Sequence, residues 1–309
     1  MTAARKRLPA GRWHFQHGPI DLVIGADGDE SAIAAAHEAA WRRFGPLLDE
    51  LVAELPRLKA PVQPGECPLR GAVARRMWSA CATLVDDAEG FITPMAAVAG
   101  SVAEELIAVY RREGIQRAWV NNGGDIALHL IEGQSLRIGL FADLAALDPA
   151  LALRARQGRL PVDGRFEIAA ASPVRGIATS GWRGRSFSLG IADAVTVLAA
   201  TAAQADAAAT VIANAVDVDH PAIARERADS LRDDTDLGSR RVTVDVPRLP
   251  PDLVQQALAA GLRRAKALHS RGLIEAAALV CQGCLFSLVP RSVSTSCSSP
   301  SPEGRRLVI

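Results

Sequence analysis

Apolar positions along this chain switch repeatedly between a strand period and a helix period, which predicts interleaved strands and helices. Ile33, Ala36, Ala40, Trp41, Phe44, Leu47, Leu48 and Leu51 recur at three- and four-residue spacing, the pattern of one buried helix face. Ser31 is placed to cap that helix, and Pro46 is expected to kink or split it. Before it, Trp13 to Ile24 alternates loosely and meets Gly25-Ala26-Asp27-Gly28-Asp29, a strand or hairpin ending in a turn. Four prolines over 56–68 read as a loop. Thr93 with Pro94 then opens a helix to about Arg112, ended by Gly114.

Ala118–Val120 reads as a short strand and Asn121–Asp125 as a tight turn, with Ile126–Leu130 and Leu136–Phe141 as paired strands. Residues 143–163 read as a loop with a short helical turn. Further strands are expected at Phe166–Ala171, Gly176–Thr179, Ala194–Ala199 and Val242–Val246, and helices at Ala202–Val216 and Pro251–His269. Residues 217–240 read as a charged surface insertion, and Leu273–Leu288 is apolar enough to close the core. The sum is an α/β (α+β) chain, one domain of mixed sheets packed with helices over 12–290. A flexible basic arm is expected over 1–11 and a disordered Ser- and Pro-rich tail over 291–309. No tandem repeat and no Rossmann rhythm stands out.

Composition changes this picture in three ways. The 309 residues balance 35 Lys and Arg against 34 acids, so charge alone attracts neither nucleic acid nor anionic lipid. The basic N-terminus leads into no apolar run, and no 18-residue apolar stretch occurs; neither a signal peptide nor a membrane span is expected, and the cytoplasm is the expected compartment. The five cysteines are irregularly spaced and do not look like a disulfide framework. Cys281-Gln-Gly-Cys284 lacks a second ligand pair for zinc, which leaves two buried cysteines at the end of a strand or helix.

The chain has no Walker loop, no dinucleotide-binding glycine fingerprint, no zincin helix and no nucleophile elbow. Three local features can carry chemistry. In Asn122-Gly123-Gly124-Asp125, two glycines let the backbone turn sharply and approach a ligand, with Asp125 free to accept a hydrogen bond or simply to cap the turn. Thr179-Ser180-Gly181, followed by Arg183 and Arg185, suits a phosphate or a solvated turn. Asp206 and Thr210 share a helix face, with Asn214 a turn further on. These are hard oxygen donors of the kind magnesium takes, in apolar surroundings where a carboxylate needs either a cation or N–H donors. His14 and His17 flank a strand and read as structural or exposed.

The order and spacing of these features resemble the ApbE superfamily of FAD:protein FMN transferases. Asn121–Asp125 looks like that family's Asn-x-Gly-Gly-Asp turn, and Ala96–Ala103 like the helix before it. Ile177–Gly181 looks like its Ala-Thr-Ser-Gly strand end. Ala194–Val197, followed by Asp206 and Thr210, looks like its strand and magnesium helix. The resemblance covers roughly residues 92–216 and is closer to an uncharacterised "UPF" branch. Ala99-Gly100-Ser101 stands where the family has Lys-Gly-Tyr, and Phe187–Asp193 replaces its His-x-x-Asp-Pro segment. The resemblance implies FAD, or a related pyrophosphate or ring compound, as ligand, with Mg²⁺ held by Asp206 and Thr210. Asp206 then takes the catalytic place, and Asn122, Gly123, Gly124, Asp125, Thr179, Ser180 and Gly181 line the cofactor. It also implies an acceptor protein whose hydroxyl takes FMN. A non-catalytic flavin- or pterin-binding protein, or an assembly protein of a cofactor pathway, stays open, as does homodimerisation.

Overall fold

The computed structural model describes residues 2–88, 91–140, 164–288 and 307–308. In chain order the elements are β1 (Ala4–Arg7), β2 (Trp13–His17), β3 (Ile20–Gly28), α1 (Glu30–Ala53), α2 (Leu55–Leu58), α3 (Ala72–Ala82), α4 (Val98–Ile107), β4 (Ile115–Asn122), β5 (Asp125–Leu130), β6 (Ser135–Leu140), β7 (Gly164–Ala169), β8 (Gly176–Ser180) and β9 (Ala194–Ala199). They continue as α5 (Ala202–Ala215), β10 (Ala224–Arg227), α6 (Ala228–Leu231), β11 (Arg241–Asp245), α7 (Pro251–Ser270), β12 (Ala276–Cys281), β13 (Cys284–Leu288) and β14 (Leu307–Val308). Nine strands form one sheet in the order β1-β2-β3-β4-β5-β8-β9-β12-β13, every neighbouring pair antiparallel. A separate sheet has the order β14-β6-β7, and β10 pairs with β11.

Two cores lie on opposite faces of the large sheet. Along β5, Ile126, Leu128 and Leu130 belong to one core and Ala127 to the other, as the two-residue strand period requires. The larger core packs helices α1, α4, α5 and α7 on the sheet through Phe15, Leu22, Ile24, Phe44, Val195 and Val197, all fully buried. The smaller core joins Trp119, Leu128 and Leu198 to Leu136, Ile138 and Ile168 of the three-stranded sheet. The abundant alanine has a clear use: Ala205, Ala207, Ala208 and Ala209 of α5 are all buried, so this helix packs tightly on its neighbours.

Several expectations need correction. Residues 4–7 are not a free arm: β1 pairs with β2, and Arg5 bridges Glu38 at 2.6 Å while its guanidinium lies 5.1 Å from the rings of Trp13 and Trp41. Helix α1 is preceded by Asp29, not capped by Ser31, and runs unbroken through Pro46 because the buried face through Phe44, Leu47 and Leu51 holds both halves to the core. The glycine-rich end of β3 is strand, paired with β4, not turn. Helix α3 was not foreseen. Strands β5 and β6 do not pair; β5 lies between β4 and β8, and β6 pairs with β7. The helix opened at Pro94 begins as a 3-10 turn, and the Thr93 hydroxyl donates to the Asp236 carboxylate instead of capping. Cys281 and Cys284 face each other across the β12–β13 hairpin as free thiols. The loop expected at 143–163 lies outside the described residues, as does the tail apart from Leu307–Val308, which pairs in parallel with β6.

His37 ties α1 to the segment after α4: its Nδ1 lies 2.7 Å from the Tyr110 hydroxyl. Burial holds its pKa down at about 4, from 6.5. The unfolded chain therefore takes up this proton first as pH falls, so the contribution of His37 to stability is full above about 6.5 and is lost between there and about 4. The raised carboxyls of Asp125 and Asp206 act with the opposite sign in that window, so the test is a difference: between pH 6.5 and 4 the urea midpoint of wild type should fall relative to that of His37→Gln. Parallel curves would take His37 out of the pH dependence.

Candidate functional site

The β4–β5 hairpin closes with Asn122 opposite Asp125, and its two turn residues, Gly123 and Gly124, take φ of 65° and 116°. Both lie in the left-handed region, which the double glycine makes accessible. Asn121 Oδ1 accepts from the Gly124 N–H at 2.8 Å, locking the turn. Asn122 Nδ2 donates to the Ala99 carbonyl at 3.1 Å, which fixes the hairpin against the first turn of α4. Asp125 is buried, and its carboxylate accepts the Thr179 N–H at 3.2 Å from the end of β8.

Asp206 reaches α4 from the other side. Its Oδ2 accepts the Gly100 N–H at 2.9 Å, and the Ala99 N–H also favours its charged form. The carboxylate thus satisfies amides that the start of a helix leaves open. This contact needs a close approach of α4 to α5: a Cβ on Gly100 would sit 2.2 Å from the Ala202 carbonyl oxygen. The turn, the end of β8, α4 and α5 therefore converge on two carboxylates.

The electrostatics follow. Burial pushes Asp125 up to about 7, against the opposing pull of the Thr179 N–H and the Arg185 guanidinium. Burial also raises Asp206 far above the usual carboxylate range, and the neighbouring charge of Asp125 raises it further. Two like charges pressed together in low dielectric call for a proton or a cation between them. Arg185 lies against the glycine turn, since a Cβ on Gly123 would come within 2.1 Å of its Nη2. Removing this charge in Arg185→Gln should raise the Asp125 pKa above about 7; a carboxyl-carbon NMR titration reads the shift, and no movement would detach Arg185 from the site.

The structure sorts the residues singled out in the sequence. Asn122, Gly123, Gly124, Asp125, Thr179 and Asp206 come together through the contacts above. Thr179 has its N–H on Asp125 and its hydroxyl 2.9 Å from that of Thr196. Ser180 pairs with Val195, and Gly181 is pressed against the Asp193 carbonyl. Thr210 is half-buried one turn after Asp206. Asn214 is committed elsewhere, accepting from the Leu189 N–H at 2.9 Å and the Ser188 hydroxyl at 3.2 Å. Of the two arginines, Arg183 is held by Asp193 at 3.1 Å and lies over the ring of Trp182. Sequence reasoning missed the role of the α4 amides, because Gly100 and Asp206 lie 106 residues apart.

The side chains singled out in the sequence, Asp206 and Thr210, carry oxygen and no sulfur or imidazole nitrogen. Among the described residues no group of three or more His, Cys, Asp and Glu side chains can hold a metal ion. Oxygen donors of this kind suit a hard cation that keeps part of its shell as water more than they suit zinc. No helix among the described residues is long and apolar enough to cross a membrane.

A family model described as "AbpE bacteria" matches residues 5–287. The chain belongs to this AbpE family. It is 32% identical over 213 residues to a UPF0280 protein of Methanosarcina acetivorans, covering 68% of this chain and 74% of that protein. It is 37% identical over 223 residues to a UPF0280 protein of Methanopyrus kandleri, covering 69% and 78%. Among solved structures, the flavinyl transferase ApbE of Pseudomonas stutzeri, apo form, aligns over 94% of each chain at 14% identity with a TM-score of 0.47. The AbpE match takes in every residue of the candidate site, from Asn122 to Thr210, and both elements that frame it, α4 and α5. It also extends the resemblance well beyond residues 92–216, back to β1 and forward to β13.

Proposed function

We propose that this chain binds FAD together with Mg²⁺ at the Asp125–Asp206 site and transfers FMN to a hydroxyl of an acceptor protein. The observation that carries the reading is a pair of neighbouring carboxyls with raised pKa values, Asp125 buried against the end of β8 and Asp206 half-buried against the amides of α4. Asp206 and Thr210 would hold the metal, which would supply positive charge against the pyrophosphate. Arg185 supplies a second positive charge beside the glycine turn. Gly123 and Gly124 let the ligand lie close to the backbone, and Ser180 and Gly181 offer the strand end beyond Thr179. In that reaction the acceptor's oxygen would bond to the phosphorus of the FMN half, the pyrophosphate P–O bond would break with the bridging oxygen leaving on AMP, and the hydroxyl's proton would pass to solvent.

A second reading, binding of the flavin without transfer, is favoured by one observation. Asp193, the carboxylate of the segment replacing His-x-x-Asp-Pro, is already held by Arg183 and by the Gln282 N–H at 2.5 Å. Native mass spectrometry with FAD and Mg²⁺, followed by an AMP assay with a threonine-containing acceptor, separates the two. Bound FAD with AMP release supports transfer, and bound FAD without AMP supports the second reading. No FAD retained would sink both.

A further inference from the structure

A groove of about 770 Å³ opens between α7, the C-terminal end of α5 and the β10–β11 pair. Five arginines line it, Arg225, Arg240, Arg241, Arg263 and Arg264, against the carboxylates of Asp87 and Asp217. Both carboxylates are already matched. Asp217 pairs with Arg225, and Asp87 pairs with Arg264 at 3.2 Å and also with Arg271. Arg240, Arg241 and Arg263 have no ion pair among the described residues. Arg240 lies on Phe91, its Cζ 3.1 Å from the ring centroid, and Arg241 Nη2 donates to the Arg225 carbonyl at 2.7 Å. The Nε of Arg225 is buried without an acceptor.

Three guanidiniums without an ion pair among the described residues, Arg263 from α7 and Arg240 and Arg241 from the β11 side, face one groove and focus a positive field into it. Planar guanidiniums of this kind suit the paired oxygens of phosphate or carboxylate. The end of α5 opposes an anion, but a helix terminus carries only about half a charge, and the Val216 N–H already occupies the carbonyls of Ile212 and Ala213. The excess of guanidinium wins. Between the charges, Phe91, Leu189 and Val211 supply apolar wall. None of Asp125, Thr179, Asp206 and Thr210 lines the groove.

We propose that this groove is a second binding site, for a small multiply charged oxyanion with an apolar portion: a phosphate ester or a polycarboxylate. The inference is independent of flavin binding. Isothermal titration with inorganic pyrophosphate and with citrate, in EDTA and at fixed ionic strength, tests it. At least one probe should bind. Arg263→Glu and Arg240→Ser should each weaken it by about tenfold or more, the loss expected when a charged partner of an oxyanion is removed, while Asp206→Asn leaves it unchanged. Preference for pyrophosphate assigns the phosphate ester, and preference for citrate the polycarboxylate. Arg263 is exposed on α7, so its variant should fold, which circular dichroism checks. Binding of neither probe, binding equal in Arg263→Glu and wild type, or loss in Asp206→Asn would overturn the proposal.

Discussion

Asp206→Asn should abolish Mg²⁺-dependent FAD retention, weakening it by roughly a hundredfold or more, while leaving the fold as stable as wild type or slightly more so. The two halves of this expectation come from different physics. An amide oxygen can still accept the Gly100 N–H that Asp206 Oδ2 now takes at 2.9 Å, so α4 keeps its end. The repulsion with Asp125, which raises both the burden and the pKa of Asp206, disappears, and that change stabilises. What the amide lacks is the charge a divalent cation needs. Asp206→Ala is the contrasting variant, because it strands the α4 amides, at about 1–3 kcal/mol for a buried donor left without a partner. Native mass spectrometry with and without EDTA, beside thermal melts of both variants, reads the result. If Asp206→Asn still retains FAD in a magnesium-dependent way, the cation is not held where we propose.

Gly100→Ala should destabilise the protein substantially and loosen the same site from the other side. The new methyl would meet the Ala202 carbonyl at 2.2 Å, its carbon at 2.6 Å and the Asp206 Cβ at 2.9 Å. Two of these are backbone atoms, so no rotamer change relieves the clash and the two helices must separate. Overpacking of this kind costs about 3 kcal/mol at the upper end of the usual range, against roughly 1 kcal/mol recovered from alanine's better helix propensity. The net loss of about 2 kcal/mol corresponds to a melting temperature lowered by about 3 °C in a domain of this size. Calorimetry measures it. A melting temperature equal to wild type would mean that α4 and α5 are not in contact at this point.

Parts of this arrangement could be read directly from the chain, for reasons that particular residues make plain. Ala194–Ala199 is a run of six residues buried on both faces, and it was found with its ends because nothing polar interrupts it but Thr196. The Asn122–Asp125 turn was legible because two adjacent glycines between strand-like segments have few other uses. Helix α3 escaped because Arg75 and Arg76 sit in the middle of it, and its buried stripe of Val73, Ala74, Met77 and Cys81 is short. The basic N-terminus was misread since strand pairing is decided by its neighbour: β1 gains its place from β2 and from the rings that receive Arg5. At the site, Asn122, Asp125 and Asp206 could be picked out as residue types. The hydrogen bond of Asp206 to a backbone amide could not be, because it depends on a helix start more than a hundred positions away.

Trp182 directly follows Gly181 and carries the Arg183 guanidinium 5.1 Å from its ring centroid. Under the proposed flavin site, that position would make the protein its own optical probe. An indole emits where an isoalloxazine absorbs, so a flavin seated by Gly181 would drain the excitation of Trp182 radiationlessly. Occupancy would then be visible as lost ultraviolet emission in unlabelled protein. A ligand confined to the arginine groove, lacking a chromophore, would leave that emission bright.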